Sequence, residues 1–326
     1  MAFITANTDQ LRRTLVWSAG LKEALEDELM GQNYVRWLSD FPDGDTFKIP
    51  SIGGATVRDY VENTPVVYDP MDTGEFEFTI NKYKSAATYI TKKALQDGFY
   101  MSQLVSSFVP KHTRALMEQL ETDILALAAA GASGGQTAAD LNAINGVGHR
   151  FVASGSSQVI TVKDFARARY ALKKANVPDT NLIAIVDPSV EYTLNTLTNI
   201  TDMSYNPKWE GLVTSGIASG MSFVRNIYGF DVYVNNRLPA AGANQSGAET
   251  IDSVACSANG VCNIFFSAAG GDLLPWVGAW RQNPEVESDY NKDFQREEYL
   301  VTARYGLKVY RPENMVVVIS NSAVTT

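Results

Sequence analysis

Cysteine is nearly absent: Cys256 and Cys262 are the only two in 326 residues. Two thiols make no disulfide framework, and without C-x-x-C spacing or histidine partners they make no zinc site. They read as small packing residues in a reducing compartment. Histidine is as scarce, with His112 and His149 alone, which leaves few partners for a serine–histidine–acid relay. No G-x-x-x-x-G-K-[ST] phosphate loop occurs, so the work of an ATP-driven motor is excluded. No apolar run approaches the ~18 residues of a membrane span. The opening residues, MAFITANTDQ, lack the basic and apolar regions of a secretory leader. The expectation is a protein made and used in water, in a reducing compartment.

Charge is in short supply too. Charged residues make up 19% of the chain, against ~25% in ordinary domains. Thirty-six acidic and 27 basic side chains give a formal net charge of −9. Sequence-independent grip on nucleic acid needs clusters of Lys and Arg to displace counterions. The densest pair is Lys173-Lys174, so tight direct DNA binding is not expected. What the chain has in plenty is apolar material, 45% hydrophobic and 10% aromatic. That is enough, at this length, for two or more packed lobes. Low charge fits a subunit that hides surface against neighbours, and equally an apolar-rich enzyme.

Along the chain, residues 9 to 31 read as a helical arm. Asp9 stands as N-cap, Leu11, Leu15, Leu21, Leu25 and Leu29 recur near helical spacing, and Gly31 stops the run. From 44 to 90 the pattern turns extended. Thr46-Phe47-Lys48-Ile49 and Glu75-Phe76-Glu77-Phe78-Thr79-Ile80 alternate with period two, and Lys82, Lys84, Ala86, Thr88 and Ile90 continue the stretch. Together they predict a long two-stranded projection around a loop. An isolated hairpin of that kind is marginal in water and needs a second surface to lie on. The apolar face Phe76, Phe78, Ile80 and Tyr83 is then either core of one subunit or a face that docks across a subunit boundary. The second reading is expected, because a projecting hairpin has little core of its own.

Residues 91 to 131 predict the best helix, with Pro110 opening a segment. Leu116, Leu120, Ile124 and Leu127 form one face, Glu118, Glu121 and Asp123 fall elsewhere, and Gly131 ends the run. A helix capped by Thr161, a buried strand at 182 to 186, a helix at 190 to 197 and strands at 230 to 234 and 263 to 267 follow. Alternating strands at 299 to 307 and 316 to 319 close the chain.

Taken in order, these elements and several phrases resemble the major capsid proteins of tailed bacteriophages, the Hong Kong ninety-seven type of capsid fold. The phrases are Gly44-Asp45-Thr46-Phe47-Lys48-Ile49-Pro50, the run from Phe76 to Lys84, the helix ending near Gly131, the run from Tyr228 to Pro239 and the run from Ala303 to Glu313. The likeness covers nearly the whole chain. It implies an α+β capsid fold with an N-terminal arm (1–43), an extended β-hairpin loop (44–90) and a spine helix with peripheral domain (91–150). An axial domain (151–275) and peripheral return strands with the C-terminus (276–326) complete it.

The resemblance further implies self-assembly into hexamers and pentamers of an icosahedral shell that encloses double-stranded DNA without sequence-specific binding. Expected partners are other copies, a separate scaffolding protein, a portal and a decoration protein. The expected place is the virion capsid, assembled in the host bacterial cytoplasm, with no enzyme activity, cofactor, metal or membrane. The candidate inter-subunit contacts are Leu15, Leu21 and Leu25 of the arm, and Arg58, Phe76, Phe78, Ile80, Lys82, Tyr83 and Lys84 of the loop. Arg281, Glu285, Glu287 and Arg296 of the tail segment complete the set. A shell of the same fold that encloses an enzyme, a bacterial nanocompartment of the encapsulin kind, is the related alternative.

Two motifs point elsewhere and are outweighed. Gly131-Ala132-Ser133-Gly134-Gly135 has the form of a nucleophile elbow, which would make a serine hydrolase. The elbow needs a strand before it, and here a helix precedes. Asp289-x-Asn291-x-Asp293 starts like a calcium loop, but Phe294 stands where glycine is needed and Leu300 where the bidentate glutamate is needed. An acidic, solvated strand edge or interface is expected there.

Overall fold

A computed structural model describes residues 29–38, 46–52, 57–65, 68, 73–97, 101–131, 135, 144–196, 226–242 and 249–324. Among them the first strands are β1 (Val35–Leu38), β2 (Thr46–Ile52), β3 (Thr73–Thr79) and β4 (Lys82–Thr91), followed by helices α1 (Lys92–Asp97) and α2 (Met101–Leu125). Next come β5 (Arg150–Val152), α3 (Val162–Lys174), β6 (Leu182–Val186), α4 (Pro188–Thr196), β7 (Asn226–Ile227) and β8 (Phe230–Val234). The last are β9 (Thr250–Ile251), β10 (Val254–Ala255), β11 (Gly260–Ser267), β12 (Trp276–Asn291), β13 (Arg296–Val309) and β14 (Val316–Asn321).

Most of these strands fall into two sheets. One has four strands in the order β1-β12-β13-β4, and the other has six in the order β5-β14-β11-β6-β8-β7. Helix α2 packs into the core they share. Its Leu116, Leu120 and Ile124 lie in one buried cluster with Val301, Ala303 and Tyr305 of β13 and with Ile183, Ile185, Ile264 and Phe266 of the six-stranded sheet. Fully burying each such aliphatic side chain is worth about 1.5–3 kcal/mol. The opposite face of the six-stranded sheet carries α3, with Phe165 edge-on to Phe230 and Phe265. This explains the unbroken apolar run in β6: Ile183 and Ile185 serve the first core, Leu182, Ala184 and Val186 the second. Helix α3 starts where expected, on a capping box in which Thr161 and Asp164 satisfy each other's backbone donors.

Three expectations are corrected. Pro110 does not open the helix; it lies inside α2. An interior proline costs about 3 kcal/mol, which the buried stripe Leu116, Leu120 and Ile124 offsets. Residues 82–91 do not belong to the projecting hairpin. That hairpin is β2 against β3, with Phe47 opposite Phe78 and Ile49 opposite Phe76, whereas β4 pairs along its length with β13. Two residues, Ile80 and Asn81, separate β3 from β4, and they redirect the chain from projection to sheet. Finally, a boundary at 276 does not keep the C-terminal strands together. β14 leaves β12 and β13 and lies between β11 and β5, because its run of valines and Ile319 is buried on both faces.

The root of the projection is seated by a glycine. A Cβ on Gly306 would stand 2.8 Å from the Thr79 carbonyl oxygen and 2.9 Å from the Ile80 Cα. Both are backbone atoms and cannot swing aside. Gly306→Ala is therefore expected to destabilise the subunit by about 1–3 kcal/mol through overpacking. Urea unfolding of the variant checks this, and an unchanged midpoint would show that the seat is not tight.

Candidate assembly interface

The helix α2 carries three acids within six residues, and none of them simply faces water. Glu121 is fully buried. Its carboxylate accepts hydrogen bonds from the Gly31 N–H (2.9 and 2.8 Å to the two oxygens), the Met30 N–H (3.3 Å) and Asn235 Nδ2 (3.1 Å). A Cβ at Gly31 would lie 2.8 Å from Glu121 Oε2, so a larger residue there would push the carboxylate off its donors. Asp123 binds Lys82 (3.2 Å) and Lys84 (3.9 Å) of β4, and accepts from the Tyr305 hydroxyl of β13 (2.8 Å). Burial, then the acceptor carboxylate, raises the Tyr305 phenol well above the usual tyrosine range and keeps it a donor. Glu118 pairs with Arg114 (2.9 Å) and with Arg237 (3.0 Å). Three acids of one helix, Glu118 and Glu121 on one side and Asp123 on the other, thus fix the 30–31 segment, the 235–237 turn and strands β4 and β13.

Sequence reasoning set these acids apart from the apolar stripe and missed them. A signal was present. At ~100° per residue a helical wheel puts Asp123 beside Leu116 and Leu127, not opposite them. A carboxylate on the border of a buried stripe needs donors from whatever packs there.

A second buried polar cluster ties the end of this helix to the six-stranded sheet. Arg150, fully buried, donates through Nε and Nη2 to the two oxygens of Glu249 (2.6 Å each), and through Nη1 to the Ala128 carbonyl (2.5 Å). The Gly242 N–H donates to the same Glu249 (3.0 Å). Cys262 lies against the guanidinium, 3.4 Å from Nη2, and burial pushes its thiol up to about 11. A thiol so held is protonated and inert at neutral pH, as a packing residue should be. The neighbouring His149 is also fully buried, and its carbonyl accepts the Val317 N–H of β14. Burial holds its imidazole below the ordinary range, against the smaller opposing pulls of the Met315 backbone and the Glu313 charge.

The candidate contact residues divide into three groups. Leu15, Leu21 and Leu25 lie outside the described residues, as does Ser133 of the elbow-like motif. Phe78 and Ile80 are corrected: both are buried within their own chain, in a cluster with Val277 and Ala279 of β12. The base of the projection therefore has a core of its own, supplied by the four-stranded sheet that sequence distance concealed. Phe76 packs edge-on against Tyr310 at 5.2 Å, under the Lys308 ammonium. Lys82 and Lys84 are engaged by Asp123.

The rest are presented outward. The register places Glu285 opposite Thr302 and Ser85, Glu287 opposite Leu300 and Ala87, and Arg296 opposite Thr91. Tyr83, opposite Arg304, shares the face of these residues. Tyr83, Glu285, Glu287 and Arg296 thus lie on one outer face of the β12–β13–β4 ribbon. Arg281 stands at the bulges where β12 shifts register. The Asp289–Asp293 stretch is the ribbon's turn, in which Asn291 Oδ1 accepts from the N–H groups of Asp293 and Phe294. Among the described residues no group of His, Cys, Asp and Glu is placed to hold a metal. Beyond the β2–β3 strands, Arg58 sits among exposed apolar residues: Val57 is 94% exposed, Tyr60 77% and Tyr68 91%. So many exposed large apolar residues close together in the chain are unusual on a free surface.

Residues 74–318 match the phage capsid protein family. No curated protein sequence matches the chain. Among solved structures, a Mycobacterium phage Che8 chain superposes with a TM-score of 0.63 at 18% identity, covering 95% of this chain and 97% of that one. A cyanophage P-SCSP1u capsid chain gives 0.68 at 13% identity, covering 98% and 95%. A cyanophage Pam1 capsid chain gives 0.64 at 14%, covering 99% and 98%. The fold is therefore that of phage capsid subunits, and the chain belongs to the phage capsid protein family. It is a structural protein, a major capsid protein that self-assembles to form the shell of the virion.

Arg150→Met is expected to cost about 3–5 kcal/mol, because it strands the Glu249 carboxylate without its cation in a dry site. Equilibrium unfolding of the variant measures this, and a loss below 1 kcal/mol would show that water reaches the pair. For His149 the folded state favours the neutral ring, so its contribution is present above the ordinary histidine range. It is lost as pH falls below about 6.5, where the unfolded chain takes up the proton first. The urea midpoint of the wild type should drop between pH 7.5 and 5.5 and that of His149→Phe should stay nearly level; equal slopes would contradict the assignment.

Proposed function

We propose that the chain builds an icosahedral shell around double-stranded DNA by surface complementarity alone, with no bond-making chemistry. Residues 1–43 would reach a neighbour as an arm and the β2–β3 projection would lie across a second subunit. The four-stranded sheet with α2 would form the peripheral domain, and the six-stranded sheet with α3 and α4 the axial domain around the five- and six-fold axes. β14 belongs with the axial part in this division. The observation that carries the reading is the exposed apolar tip, Val57, Tyr60, Val61 and Tyr68, held at the end of strands whose root is locked by Phe78 and Ile80. A rigid root with an uncovered apolar end is built to engage another molecule.

The absence of catalysis is supported by the histidines. His149 is buried beneath β14, and His112 is engaged with Thr88 Oγ1 at 2.8 Å. A separate scaffolding protein, a portal, a decoration protein and assembly in the host cytoplasm belong to the same proposal. Support comes from the family and from the acidic balance of the chain, which suits a wall that does not bind its cargo.

Replacing residues 53–72 with a two-residue turn tests the reading directly. The expected product is a folded subunit with a thermal midpoint within a few degrees of wild type that forms no shells in electron micrographs. Normal shells from the shortened chain would overturn the role assigned to the projection. An unfolded product would contradict the independence of its tip from the core.

A further inference from the structure

Two Asn-Gly pairs occur in the sequence, Asn145-Gly146 and Asn259-Gly260, and the fold places them in opposite chemical situations. We propose that Asn145 is a site of spontaneous covalent modification, deamidation through a cyclic imide, and that Asn259 is protected from it. In the reaction the deprotonated Gly146 backbone nitrogen attacks the side-chain carbon Cγ of Asn145. The new N–Cγ bond forms as the Cγ–Nδ2 bond breaks, and ammonia leaves with the proton. Water then adds to one of the two imide carbonyls, and ring opening yields aspartate or isoaspartate. Water is the sole co-reactant. Glycine is needed as the follower, because a side chain there would hinder the attack.

Three features favour the step at Asn145. Both residues are exposed. They form the centre of a two-residue turn with φ of 50° and 84°, the conformation of a type I′ hairpin turn. The turn is closed by one bridge, in which Ile144 and Val147 exchange N–H···O bonds of 3.0 and 3.1 Å. Among the described residues the Gly146 N–H donates to no backbone carbonyl, so attack by that nitrogen breaks no backbone hydrogen bond of its own. The contrast at Asn259 is complete. The Gly260 N–H donates to the Ser257 carbonyl at 2.9 Å and the Gly260 carbonyl accepts from the Ala241 N–H at 2.8 Å. Gly260 itself is buried and opens β11, a strand paired on both sides. For that nitrogen to attack, part of the six-stranded sheet must open.

The modification would alter a specific contact. Asn145 Nδ2 donates to the Lys174 carbonyl at 2.9 Å, in the last turn of α3. An aspartate has no donor to offer there, and it sets a negative charge against the carbonyl end of a helix, where the dipole disfavours it. Aged subunits would therefore carry a loosened turn beside the end of α3, at a place fixed in advance by the fold.

The test is peptide mapping by mass spectrometry of the full chain, incubated at slightly alkaline pH in buffer and, in parallel, in concentrated urea. In urea both Asn-Gly peptides should gain one dalton at similar rates. In the folded protein the peptide containing Asn145 should gain it and the peptide containing Asn259 should not, and Asn145→Gln should abolish the gain at its peptide. Conversion of Asn259 as fast as Asn145 in the folded chain would overturn the proposal. So would an unchanged Asn145 after a time that converts both in urea.

Discussion

The carboxylate of Glu121 is the point from which the rest of the subunit is organised. It is buried and meets its hydrogen-bonding needs with backbone N–H groups of Met30 and Gly31 and with Asn235. A buried acid left without such donors costs several kcal/mol, so the segment at 30–31 and the turn at 235 have to meet at this helix face. Asp123, half a turn away, does the same for β4 and β13. The effect is to convert an ordinary amphipathic helix into a jig. The 30–31 segment, the 235–237 turn and strands β4 and β13 all take their positions from one rod.

This arrangement explains how weakly cored projections can be held in fixed directions. The β2–β3 strands have little to bury along most of their length, yet their root is fastened by Phe78, Ile80 and the close approach at Gly306. Each exposed ion pair on the outer ribbon contributes about 0–1 kcal/mol. Many weak contacts on a rigid frame allow a misplaced subunit to leave and a correct one to stay, and area summed over a closed shell supplies the stability.

Much of the fold could be read from the sequence where one physical signal dominated. The helix cap at Thr161, the wholly apolar β6 and the alternation in β3 and β13 each follow from local chemistry, and the structure has them there. What could not be read was long-range partnership. Phe78 looked uncovered because Val277 and Ala279, which bury it, lie about two hundred residues later in the chain. Glu121 looked like surface because its donors, the backbone N–H groups of Met30 and Gly31 and the side chain of Asn235, all lie far from it in the chain. Pro110 suggested a helix start on local grounds, and tertiary packing of the turns after it overrode that preference. The outward residues Tyr83, Glu285, Glu287 and Arg296 were individually legible, but their common face exists only once the register of three strands is known.

The organising role of Glu121 can be measured residue by residue with native-state hydrogen exchange on the unassembled subunit. The account requires the amides of Met30 and Gly31 to be strongly protected, although they lie outside any long helix or strand. It also requires Glu121→Gln to release them while the amides in the middle of α2 stay protected. Fast exchange at Gly31 in the wild type, or protection indifferent to the substitution, would contradict it.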